Sequence, residues 1–215
     1  MEAMNRRPLK TRSAPWAGAL ARSLAGIGVT PNGVSVAGIF IAVAGGVAFF
    51  FAGTHTGSTR AILLVAAAIS IQLRLLCNMI DGLIAVECGL KSKTGDLFNE
   101  VPDRLEDSAF LIGAGYASMA AYGATLGWLA AVLAVSTAYV RLLGGSLGFP
   151  QDFRGPMAKQ HRMFFLTVFS LAAAGESLLG ERRLILVYGL AFIIAGAAVT
   201  FIRRLRRIAR ALHAR

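Results

Sequence analysis

The chain has 215 residues, of which 56% are hydrophobic and only 15% charged. Soluble domains carry about 25% charged residues, so this composition excludes an ordinary soluble core and points to one integral membrane domain. The formal net charge of +11 would suit a nucleic-acid binder, but its placement argues for no nucleic acid. The basic residues gather between apolar runs, at Lys91, Lys93, Arg154, Lys159 and Arg162, and again at Arg203, Arg204, Arg206, Arg207 and Arg210. Cytoplasmic loops look like this under the positive-inside rule, and such clusters also attract membrane phospholipids with anionic headgroups.

The N-terminus is basic, with Arg6, Arg7, Lys10 and Arg12. No apolar core and cleavage site follow promptly, so no secretory signal is read there. Trp16, Leu20, Leu24 and Ile27 then recur at helical spacing. They predict a short amphipathic helix over 14–28, lying in the headgroup plane within a cytoplasmic segment of residues 1–30. Thr30-Pro31-Asn32 breaks it, and proline suits the first turn of the helix that follows.

Six membrane helices are predicted, at about 31–53, 59–88, 95–121, 124–148, 159–180 and 183–208. Each is long enough to cross at about 1.5 Å per residue. The connections after the second and fourth carry Lys and Arg; those after the first and third carry almost none, apart from Arg60 at a helix start. Both termini are therefore expected on the cytoplasmic side of a bacterial inner membrane. The fifth connection, with Glu176, Glu181, Arg182 and Arg183, is mixed, and a basic tail closes the chain at 209–215. The expected fold class is an all-α polytopic membrane protein: a six-helix bundle over 31–208 preceded by an interfacial helix. Small residues such as Gly113, Ala114, Gly115 and Ala117 would let its helices approach closely. Cys77 and Cys88 have no metal-ligand spacing around them and read as two reduced thiols.

The chemistry-bearing stretch is Asn78 to Asp107. Asn78 and Asp81 are three apart and share one helix face with Gly82; Asn99, Asp103 and Asp107 are four apart and share a face of the next helix. A loop containing Gly89 and Gly95 reverses the chain, so the two faces can meet just inside the cytoplasmic boundary. Two readings are open for such a cluster. Oxygen ligands from facing helices suit a hard cation such as Mg²⁺ that also binds substrate phosphates. Alternatively, the same groups lock two helices together by hydrogen bonds. Ionisable groups are costly at this depth, which favours a functional site.

This segment resembles the CDP-alcohol phosphotransferase family. The family's pattern is Asp-x-x-Asp-Gly-x-x-Ala-Arg, eight residues, then Gly-x-x-x-Asp-x-x-x-Asp. Asp81, Gly82, Ala85, Gly95 and Asp103 fall in register without a gap, and Thr30-Pro31-Asn32 is similar to the family's entry to the first long helix. Three positions depart: Asn78 and Asn99 stand where the pattern has Asp, and Val86 where it has Arg.

The resemblance implies a transferase that moves a phosphatidyl group from a CDP-linked lipid, such as CDP-diacylglycerol, to an acceptor alcohol and releases CMP. It implies one or two Mg²⁺ or Mn²⁺ ions held by Asn78, Asp81, Asn99 and Asp103, with Asp103 as the general base. Asn32, Gly82, Ala85 and Gly95 would line the substrate site. Glu87, Asp96, Glu100 and Asp107 are candidates to replace the two lost carboxylates. The family often forms homodimers. Glycerol 3-phosphate, inositol phosphate, serine or another headgroup is compatible as acceptor.

Arg74, one turn deeper than Asn78, and Arg141, inside the fourth helix, can clamp a phosphate or form internal ion pairs. Lys159 and Arg162 share a face at the start of the fifth helix, where they either bind an acceptor's phosphate or simply mark the cytoplasmic end. Two other functions compete with the transferase. One is a catalytically impaired relative that binds nucleotide or lipid and serves a partner. The other is a small transporter in which Asp81 and Asp103 relay ions.

Overall fold

A computed structural model of the chain describes residues 15–180 and 182–214. Arg6, Arg7, Lys10, Arg12 and Glu181 lie outside them. Seven helices and no strand occur among the described residues: α1 (Pro15–Gly26), α2 (Pro31–Thr54), α3 (Gly57–Glu87), α4 (Gly95–Ser118), α5 (Gly123–Ser146), α6 (Lys159–Leu179) and α7 (Ile185–His213). Five of them, α2, α3, α5, α6 and α7, are long and apolar enough to cross a membrane, which makes this an integral membrane protein. The expected count was six. The helix that falls short is α4, and the reason is its polar first half, with Asp96, Glu100, Asp103, Arg104, Glu106 and Asp107. Such a helix cannot face lipid along its whole length. It packs instead against α2 on one side and α5 on the other.

Local chemistry explains the helix boundaries. The Thr30 hydroxyl accepts the Gly33 N–H at 3.1 Å and Pro31 occupies the first turn, so α2 begins with one orphan donor satisfied and one removed. At the far end of α3, Cys88 is the C-cap and Gly89 follows with φ +68°. Only glycine adopts that conformation without strain, and it turns the chain toward α4. α7 runs unbroken to His213, so Arg210 and His213 of the basic tail continue the last helix.

α1 lies against α3. Its buried face is made of Ala17, Gly18 and Ala21, backed by half-buried Leu20 and Leu24, whereas Trp16 and Ile27 are exposed. The packing surface is thus narrower than the stripe expected from the sequence, because small side chains let the helix sit close to Met79, Leu83 and Ile84. The largest apolar core joins α2, α3, α4, α5, α6 and α7 through residues such as Phe49, Leu64, Phe110, Leu111, Met163 and Ile193.

Two backbone crossings hold α4 in place. A Cβ on Gly113 would lie 2.9 Å from the Gly46 carbonyl oxygen, and one on Gly115 would lie 2.6 Å from the Gly123 oxygen and 2.8 Å from the Gly127 Cα. Close approach of this kind substitutes for the hydrophobic drive that lipid cannot supply between helices. Gly115→Val should therefore lower the melting temperature in detergent or lipid, at a cost of about 1–3 kcal/mol from overpacking. Gly175→Ala, in a helix interior with nothing within 4 Å of the added carbon, should leave it unchanged or raise it slightly. Equal melting temperatures for the Gly115 variant and the natural protein would contradict this crossing.

Candidate active site

The cluster forms where the end of α3 meets the start of α4. Arg74, Asn78 and Asp81 come from one face of α3, and Asn99, Asp103, Glu106 and Asp107 from one face of α4. A small cavity there is lined by Ser35, Asn78, Asp81, Asn99 and Asp103, with Phe98 and Pro102 on its wall. Pro102 inside α4 has no N–H to return to the Phe98 carbonyl, so the helix is open at the level of the cavity.

Asn78 donates through Nδ2 to Asn99 Oδ1 at 3.2 Å and to Asp103 Oδ1 at 2.9 Å. Asp81 is buried and accepts the Ser35 hydroxyl at 2.8 Å. Asp103 is the most heavily engaged group. Its Oδ1 also receives Arg74 Nη2 at 2.5 Å and the Lys159 ammonium, and its Oδ2 faces Arg104 at 3.4 Å. Arg74 continues to Glu106 through a short bond and to Asp107 Oδ1 at 3.6 Å. Arg162 pairs with Asp107 Oδ2 at 3.1 Å and donates to Thr137 Oγ1 and the Met157 carbonyl.

Expectation and geometry can be compared residue by residue. Asn78, Asp81, Asn99 and Asp103 come together as expected. Arg74 takes the internal ion-pair arrangement. Lys159 and Arg162 are buried, and each is paired with an α4 carboxylate. Gly82, Ala85 and Gly95 are half-buried near the helix turn. Asn32 tethers the α3–α4 connection to α2 through Thr94 at 3.5 Å and Ser92 at 3.4 Å. Three residues escaped the sequence reading, among them Arg104, which faces Glu100 and Asp103. Glu106 carried a signal, standing three residues beyond Asp103 on the same helix. Ser35 carried none, since one hydroxyl in an apolar helix looks like packing.

A second, larger feature is a cleft of about 240 Å³ between α5, α7 and the connection joining α5 to α6. Arg141, Asp152, Arg154, Arg204 and Arg207 line it. Arg141 pairs with Glu100 at 2.6 Å, bonds Gln151, and sits 5.0 Å from the centre of the Phe153 ring. Arg204 is buried and donates to the Arg154 and Thr137 carbonyls. Asp152 accepts Arg207 Nη1 at 2.5 Å and the Arg154 backbone N–H at 2.9 Å. Burial alone would raise the Asp152 carboxyl, but these bonds outweigh it and hold the group below the ordinary carboxylate range. The cleft is linked to the first cluster by a chain of ion pairs, from Arg141 through Glu100 and Arg104 to Asp103.

Comparison with known proteins bears on the fold. No family model matches the chain. Inner membrane protein YnbA of Escherichia coli strain K12 is 24% identical over 146 residues, covering 68% of this chain and 69% of that protein. Among solved structures, the phosphatidylinositol phosphate synthase PgsA1 of Mycobacterium tuberculosis with CDP-DAG bound superimposes with a TM-score of 0.75. It is 21% identical, covering 91% of this chain and 94% of that one. The same synthase in complex with manganese and citrate also gives 0.75, at 21% identity over 89% of this chain and 88% of that one. The chain thus has the fold of that synthase.

No group of three or more His, Cys, Asp or Glu that could hold a metal ion occurs among the described residues. The candidate replacements are committed elsewhere: Glu87 to Arg22 at 3.6 Å, Glu100 to Arg141 and Arg104, and Asp107 to Arg162, while Asp96 is exposed in the first turn of α4. As arranged, the residues do not fit a pair of divalent cations.

The ion cluster itself makes a prediction. Removing one member of a buried charge cluster leaves its partners uncompensated, at a cost of about 3–5 kcal/mol. Arg74→Met should sharply lower the melting temperature, and adding Glu106→Leu should recover part of the loss. A single variant that melts like the natural protein would show that the cluster is not a buried, ionised unit.

Proposed function

We propose that this protein is a membrane transferase that moves a phosphatidyl group from a CDP-linked lipid to an acceptor alcohol and releases CMP. The observation that carries the reading is the meeting of Asn78, Asp81, Asn99 and Asp103 at the α3–α4 junction, in the order and spacing of the CDP-alcohol phosphotransferase pattern. It stands on the fold of a synthase solved with CDP-DAG bound. The working unit is the bundle of residues 31–208, with α4 as a sixth, sheltered span, α1 at the interface, and the site and both termini on the cytoplasmic side.

In the proposed reaction the acceptor's oxygen bonds to the phosphorus that carries the diacylglycerol. The bond from that phosphorus to the bridging oxygen breaks, and CMP leaves with the electron pair. Asp103 takes the acceptor's proton. Gly82, Ala85 and Gly95 leave room for the cytidine, with Asn32 holding the connection beside it.

The arginine-lined cleft supports an acceptor that bears a phosphate. Arg141 and Arg207 present guanidinium groups whose present partners, Glu100 and Asp152, can be exchanged for phosphate oxygens. The Arg104 bridge between Glu100 and Asp103 puts the cleft next to the proposed base. A second reading, a nucleotide- or lipid-binding relative without turnover, is favoured by Asn78, Asn99 and Val86.

Purified protein in lipid, given CDP-diacylglycerol and a panel of acceptors, should release CMP with a phosphate-bearing alcohol and less with serine. Asp103→Asn should slow release by about 100-fold or more. Arg207→Ala should raise the KM for the acceptor by roughly tenfold while leaving that for the CDP-lipid in place. Binding of the CDP-lipid without CMP release from any acceptor would select the second reading.

A further inference from the structure

The disagreement between this donor set and a metal pair extends to the charges around it. Five carboxylates meet at the centre: Asp81, Glu100, Asp103, Glu106 and Asp107. Five cations face them: Arg74, Arg104, Arg141, Lys159 and Arg162. Aspartate at 78 and 99 would leave an excess of two negative charges to draw in a divalent ion. With asparagine at both positions the count closes at zero.

Geometry agrees with the count. A divalent ion needs oxygen lone pairs pointing at it. Here Asn78 turns its NH₂ toward Asn99 and Asp103, filling that space with a donor. Asp103 Oδ1 already accepts from Asn78 and Arg74 and is ion-paired with Lys159. The Lys159 side chain is 3% exposed and reaches the centre from the first turn of α6. A buried ammonium on this carboxylate competes with any metal for its oxygen. Asp81, the one carboxylate of the motif without a cation against it in the ion pairs above, is held by Ser35.

We propose that this centre holds its ligand's diphosphate without a divalent cation, the counter-charges being the Lys159 ammonium and the Arg74 guanidinium. Lys159 moves from Asp103 to a phosphate oxygen when the diphosphate enters, while Arg74, bound also to Glu106, stays in place. The diphosphate half of this statement rests on the function proposed above; the absence of a metal site does not.

Two measurements on the full chain in nanodiscs of zwitterionic lipid test the halves separately. In the first, the spectrum of free Mn²⁺ reports its binding to protein without substrate. The natural protein should take up no stoichiometric Mn²⁺ at millimolar concentration, and the combined variant Asn78→Asp, Asn99→Asp, Lys159→Met should bind at least about 100-fold more tightly because it restores ligand charge. Stoichiometric Mn²⁺ on the natural protein, within tenfold of the variant, overturns the proposal. Should the triple variant not fold, stoichiometric uptake by the natural protein alone remains decisive.

In the second, CDP-diacylglycerol binding is measured with EDTA in excess. Affinity should hold within twofold of that in Mg²⁺, and Lys159→Met should lose at least tenfold. Binding that collapses in EDTA overturns the proposal. No binding under either condition sinks the CDP-lipid reading and the diphosphate half with it, while the Mn²⁺ result still decides the metal question.

Discussion

The Arg74 guanidinium is the constraint on which the rest of the structure turns. An arginine in the middle of a membrane helix costs about 3 kcal/mol even by the most lenient scale, so it must be matched inside the bundle. Three carboxylates of α4 do this: Asp103, Glu106 and Asp107. Once α3 and α4 are joined through these groups, α4 cannot turn its polar face outward, and its neighbours must enclose it. That is why glycines mark the α2–α4 and α4–α5 crossings, and why Gly38 stands opposite Glu106, where an added Cβ would come within 3.0 Å of Oε1. The close-packed backbone and the buried charge are two sides of one requirement.

Thr137 on α5 extends the network to the other half of the bundle. Its hydroxyl accepts from Arg162 of α6 at 3.2 Å, and its carbonyl accepts from Arg204 of α7 at 2.7 Å. One residue thus links the element that pairs with Asp107 to the wall of the arginine-lined cleft. The opposite end of the bundle uses the same device. Arg60 is fully buried and donates to the Ala52 and Ala117 carbonyls and to Ser177, joining the last turns of α2, α4 and α6. Arginine serves here because one planar group supplies several donors to carbonyls from different helices.

Helix positions were largely legible in the sequence, because Thr30-Pro31 and Gly89 carry local capping chemistry and the apolar runs have bilayer length. The meeting of Asn78, Asp81, Asn99 and Asp103 was legible too, since helical spacing and a short reversal bring the two faces together. Partner choice was not. Lys159 and Arg162 look like an ordinary cytoplasmic helix end, and only the way α6 packs beside α3 and α4 turns both inward. The status of α4 was hidden for a related reason. A 24-residue helix with six charged side chains in its first 13 residues reads by length as a span, and only its shelter between α2 and α5 explains how it sits there.

A centre whose charges already cancel differs in kind from one with an anionic excess. The latter attracts a cation and, through it, a phosphate. The former exerts little net pull on either, so a diphosphate can enter only by exchanging partners. Lys159 is the group able to make the exchange. It is a single flexible point charge with one carboxylate partner among the ion pairs, whereas Arg74 is tied to three. On the proposed mechanism this has a chemical consequence. The ammonium that leaves Asp103 for the phosphate removes one of the cations held against the carboxylate that must accept the acceptor's proton, while Arg74 and Asn78 keep it oriented. Binding the donor lipid and making the base more basic are then one event.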